Sequence, residues 1–121
     1  MNTISAMQLF AVGSWILVSG GAWTPTPEQL SEIRNSLEPF VKQQAVTLNK
    51  KLPTWSSYTF QYQGELDDGH KVVFIKASCS PLPDYAQQQF AIVLDGGTCI
   101  FEVKYDLNKK RFFQLMFNGE A

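Results

Sequence analysis

The chain has one histidine, two cysteines and no excess of charge of either sign. Ten Lys and Arg against eleven Asp and Glu leave a formal net charge of −1, so no basic field draws nucleic acid or an anionic membrane surface. The densest basic stretch, "NKKR" from Asn108 to Arg111, is short and reads as a solvated turn. His70 falls at a hairpin tip, and its only thiol neighbour in sequence, Cys79, lies at the far end of the same predicted strand. A nucleophile beside a positioned base is therefore not expected. Two Cys and one His without a CxxC spacing do not make a closed zinc set, and no glycine-rich loop stands between a strand and a helix to cradle phosphate. The expectation is a chain that is not an enzyme and carries no metal or cofactor.

A long apolar run is also missing. "LFAVGSWILV", Leu9 to Val18, has the length of a signal-peptide core, whereas a membrane span needs about 20 residues. Small residues follow it, with Val18 and Gly20 placed as a cleavage site requires, and the first charged side chain is Glu28. Residues 1–20 therefore read as a leader and 21–121 as one secreted domain. No Lys or Arg precedes the apolar run, which leaves open an N-terminal strand or arm of a cytoplasmic protein. With 121 residues, 45% of them hydrophobic, the chain suits a single core, and a monomer is expected. In a secreted chain Cys79 and Cys99 are expected to pair; in a cytoplasmic one they would be buried free thiols.

After "WTPTPEQL", apolar residues recur at Leu30, Ile33, Leu37, Val41, Ala45, Leu48 and Leu52. These spacings of three and four mark one face of a helix. Thr26, Pro27 and Glu28 supply an N-cap hydroxyl, a proline at the first helical position and an acid at the positive helix end. The helix is predicted from about residue 27 to 51, bent near Pro39 and stopped by Pro53. The period then changes to two: "SSYTFQYQG" with "KVVFIKAS" reads as a hairpin turning at Asp68-Gly69. "CIFEVKYD" and "RFFQLMF" form a second, the latter with Phe113, Leu115 and Phe117 on one side. The fold class is thus α+β, one long helix packed across a twisted antiparallel sheet of four to five strands. "QFAIVL" within residues 87–94 is ambiguous. As an intervening strand it would hold Cys79 and Cys99 beyond the roughly 7 Å limit for a bridge; as part of an excursion over 80–97 it lets them meet, and pairing favours the excursion.

The order helix, hairpin, excursion, hairpin resembles the cystatin family. "GGAWTPTPEQLSEI" is similar to the stefin opening, "SLEPFVKQQ" to the family's helix, and "YQGELDDGHKVVFIKA" to the hairpin whose tip carries a QxVxG loop. The resemblance implies inhibition of papain-like cysteine proteases by a three-part wedge that enters the active-site cleft. Carried over by position, the glycine arm is Gly20 and Gly21, the first loop Glu65, Leu66, Asp67, Asp68 and Gly69, and the second Asp106, Leu107, Asn108, Lys109 and Lys110. Three carboxylates occupy the first loop, and the second lacks the Pro-Trp of secreted cystatins. An unpaired carboxylate is costly to desolvate in a cleft, so the alternative is a non-inhibitory cystatin-like binding or structural module.

Overall fold

The computed structural model describes residues 14–92 and 96–118. One helix, α1 (Pro27–Thr47), packs against a five-stranded sheet of β1 (Trp15–Leu17), β2 (Thr59–Asp67), β3 (His70–Ser78), β4 (Ile100–Asp106) and β5 (Arg111–Phe117), in that spatial order. The sheet is mixed, not antiparallel throughout. β2 to β5 are antiparallel neighbours, whereas β1 runs parallel to β2 with Trp15 opposite Phe60 and Leu17 opposite Tyr62. The cause is the connection: α1 carries the chain back along the sheet before β2 begins, and a strand–helix–strand crossover makes its two strands parallel.

Alternation along the strands sorts the two faces. Toward α1 point Phe60, Tyr62, Val73, Ile75, Ala77, Phe101, Val103, Tyr105 and Phe112, meeting Ile33, Leu37 and Val41 of the helix in one core. The helix begins with a reciprocal cap, in which Thr26 Oγ1 accepts from the Gln29 amide and Gln29 Oε1 accepts from the Thr26 amide. It runs through Pro39, which is exposed like Asn35. The Asn35 carbonyl, which loses its usual donor to that proline, thus belongs to the exposed side of the helix. It ends four residues short of the expectation because Asn49 adopts φ 56° and Lys50 N donates to the Ala45 carbonyl, a left-handed terminus that needs no proline.

β5 departs from simple alternation. Phe113 pairs with Lys104 and Met116 with Glu102, so a bulge centred on Gln114, φ 55°, shifts the phase. The core set is accordingly Phe112, Leu115 and Phe117; Phe113, expected beside the latter two, lies on the other face.

That other face is covered by the excursion. None of its described residues between Ser80 and Ile92 is in a strand, and Cys79 is bonded to Cys99 with Cα atoms 5.0 Å apart. Gln61, fully buried, fixes it: the side-chain amide donates to the Ala86 and Gln89 carbonyls and accepts from the Ala91 amide. Phe90 meets Phe74 edge to face, with centroids 5.0 Å apart. At the closed end, the Tyr58 hydroxyl donates to the Thr98 carbonyl, and burial pushes its pKa up to about 12.

Of the segment read as a leader, residues 1–13 lie outside the described residues. Its remainder joins the sheet: Trp15 stacks on Phe60, Val18 is buried, Val18 N donates to the Tyr62 carbonyl and Ser19 N to that of Gln87. A cut after Gly20 would remove all of this. A chain beginning at Gly21 is expected to be about 2–4 kcal/mol less stable in urea unfolding than one beginning at Ser14, from lost burial of Trp15 and Val18.

Gln61→Leu strands the buried Ala86 carbonyl and Ala91 amide of the excursion and frees the part-buried Gln89 carbonyl. It is expected to cost about 2–4 kcal/mol, and hydrogen exchange at the amides from Ala86 to Ala91 should rise ahead of the rest of the fold.

Candidate functional site

Hairpins β2–β3 and β4–β5 turn at the same end of the sheet, because antiparallel neighbours in sequential order put alternate turns together. The N-terminal segment and the start of α1 arrive at that end too. All three groups of residues expected to form a wedge are therefore at one edge of the molecule, joined by identifiable contacts.

The glycine segment lies along β2. Ala22 N donates to the Gly64 carbonyl, and a Cβ on Gly21 would stand 2.7 Å from both Gln63 Cγ and the Gly64 carbonyl oxygen. Gly21 is thus a packed residue, and Gly20, at φ 91°, turns the chain onto it. Trp23 follows. Its backbone crosses directly over Gly64, where a Cβ would be 2.1 Å from the Trp23 carbonyl oxygen, so no other residue fits at Gly64. The Trp23 indole donates to the Glu65 carbonyl, and the Lys71 ammonium stands 5.2 Å above its ring. The tryptophan is committed to the sheet.

In the first turn, Asp68 at φ 54° and Gly69 at φ 80° make the tight primed geometry expected of Asp-Gly. Leu66 is 57% exposed, the one large apolar side chain presented there. Asp67, read from sequence as an unpaired carboxylate, has a partner: its Oδ2 is 3.4 Å from Lys104 Nζ, reached across β3, with side chains 40% and 25% exposed respectively. Lys104 is the site residue that the sequence reading overlooked. The alternation Glu102, Lys104, Asp106 on the outer face of β4 was its available signal; in register Lys104 is level with Phe74 and Gln63, and its long side chain reaches Asp67 diagonally across β3.

The second turn is built on Asp106. Its Oδ1 accepts from the amides of Asn108 and Lys109, both at 2.9 Å. The Lys109 amide, then the Asn108 amide and the charges of Lys109 and His70, hold its pKa below the usual carboxylate value. Leu107 N donates to the Lys71 carbonyl at 3.3 Å, tying this turn to β3, and Leu107 packs partly on the core. Lys110, at φ 53°, reaches Glu32 of α1 at 3.8 Å, and the Tyr105 hydroxyl donates to the same carboxylate. Asn108 and Lys109 are exposed.

No group of three or more His, Cys, Asp and Glu suited to a metal occurs among the described residues, and no helix among them is long and apolar enough to cross a membrane. His70 at the tip and the bonded Cys79 occupy opposite ends of β3. Neither family models, nor curated proteins, nor solved structures give a match to this chain.

The lowered Asp106 pKa fixes the sign of a pH effect. Turn stability is present above the unfolded value of 3.8 and is lost as pH falls through the lower folded value. Amide resonances of Asn108 and Lys109 are expected to shift together in that acid range. In Asp106→Asn, which keeps an acceptor but cannot titrate, the turn should persist and the shift should vanish.

Proposed function

We propose that the chain is a cystatin-like, secreted inhibitor of papain-like cysteine proteases, its leader cut ahead of β1 so that Trp15 to Gly20 stay with the domain, entering the active-site cleft with the Gly20–Trp23 segment, the Glu65–Gly69 turn and the Asp106–Lys110 turn. One observation carries the reading: the three segments are stitched into a single row. Gly21 and Ala22 lie on Gly64, Trp23 binds the Glu65 carbonyl, and Leu107 binds Lys71. A row of this kind is presented as a unit, so little ordering entropy is lost on docking.

Within it, Leu66 is the apolar contact that sheds water most cheaply, and Asp67 with Lys104 is the expensive part. An ion pair entering a cleft loses solvation at both charges, and removing one partner leaves the other uncompensated. Asp67→Val alone should therefore tighten inhibition by less than about tenfold. Together with Lys104→Met it should gain one to two orders of magnitude, on the order of 1.4–3 kcal/mol. Titration of wild type and both variants against several papain-like proteases measures this.

The same ion pair, with Trp23 taken up by the sheet, supports a second reading, a non-inhibitory cystatin-like module whose turns meet some other protein. Absence of inhibition by the wild type and the double variant at high micromolar concentration would leave that module as the function.

A further inference from the structure

Away from the row of turns, a cleft of about 550 Å³ opens between α1, β1 and the segment leading into β2. Its lining includes Trp15, Trp55, Arg34, Glu38 and Lys42, and none of the wedge residues. The size falls within the range of small-molecule sites.

The two indoles form a supported floor. Trp15 stacks on Phe60 with centroids 4.5 Å apart, and Trp55 packs on the same Phe60 at 5.6 Å, as well as on Tyr58 and Phe101. Both are only partly buried, so each leaves apolar surface in the cleft. The wall is one stripe of α1, with Arg34, Glu38 and Lys42 at successive spacings of four.

Charge on that stripe is unbalanced. Lys42 and Glu38 pair with each other. Among the described residues Arg34 has no carboxylate within 4.0 Å and its guanidinium has no hydrogen-bond partner, although it is half-buried. Its charge acts on the hydroxyl of Tyr62 nearby, lowering a pKa that burial raises. A planar cation with five donors beside two indoles suits a planar anion: the fork takes a carboxylate by two parallel hydrogen bonds, and the rings take an apolar body.

We infer that this cleft is a binding site for a small aromatic carboxylate, whose acid group is held by Arg34 and whose ring lies against Trp15 and Trp55. The site uses neither turn and is independent of protease inhibition.

The test uses 2-naphthoate as probe and neutral 2-naphthamide as its control, with isothermal titration and amide shift mapping on the full chain and on a chain starting at Ser14. Saturable binding of naphthoate below about 1 mM is expected, with shifts at Arg34, Trp15 and Trp55. The amide and Arg34→Met should each bind at least about tenfold more weakly, while Arg34→Lys, which keeps the charge but not the fork, should fall between. Thermal unfolding checks that the variants fold, which is expected because Arg34 has no partner to lose.

Equal binding of the amide, or no effect of Arg34→Met, would mean apolar adhesion and overturn the assignment. Absence of saturable binding, or shifts confined to other residues, overturns it as well. Binding by the Ser14 chain but not by the full chain would show that residues 1–13 exclude the ligand, and would overturn it for the intact protein.

Discussion

A buried amide holds the two faces of this molecule together. Gln61 is the fully buried polar side chain in the middle strands, and such a group must find partners for both its donors and its acceptor. It finds them on the backbone of the excursion, at Ala86, Gln89 and Ala91. Three backbone groups of a segment without a strand are thereby satisfied by one side chain, so the segment can lie on the sheet without a ladder of its own. The bond between Cys79 and Cys99 closes the same excursion at its base, and Ser19 joins the N-terminal segment to it through Gln87. β2 is consequently the strand on which everything converges, with Phe60 and Tyr62 serving the helix core, Gln61 the excursion and Gly64 the crossing of Trp23.

Much of this was legible in the residues, for local reasons. Helix α1 announces itself by its apolar stripe and by Thr26-Pro27 because both signals are contained within a few turns of chain. Asp68-Gly69 fixes its turn because the required positive φ is a property of those two residues. The topology followed from the cysteines: their expected pairing favoured the excursion, the arrangement that makes β3 and β4 neighbours and lets Cys79 meet Cys99. The parallel placement of β1 was not legible, since three residues carry no periodicity that says which way they pair. Nor was the bulge at Gln114, where "RFFQLMF" alternates well enough to conceal a change of phase. The early end of α1 was missed for another reason: Asn49 is a signal in its own right, but Pro53 was read as the stop.

The candidate edge was legible in composition and not in its electrostatics. Sequence places three carboxylates in "ELDDG" with no Lys or Arg among them or following them until Lys71, which reads as an acidic tip. Register changes that reading. Lys104 belongs to a strand two places away in the sheet and becomes a neighbour of Asp67 only through β3. Long-range pairing of this sort depends on the alignment of three strands at once, and a single charge pattern along the chain does not contain it.

With Asp67 paired, the edge is better described as a dipole than as an acid patch. Asp68 projects exposed from one turn, while Lys109 is exposed on the next and Lys110 is loosely engaged with Glu32. Opposite charges on adjacent turns give little net field at a distance, because their contributions offset one another and salt screens the remainder beyond a Debye length of about 8 Å. At contact they do not cancel, since each turn then faces its own part of the partner. For the docking proposed above, such an edge would set the orientation of the partner and reject surfaces of the wrong polarity, while the on-rate would gain little from steering. The energy of that proposed docking would then come from surface that can be dried at low cost, and at this edge that surface centres on Leu66, held in place by the turn geometry of Asp68 and Gly69 beside it.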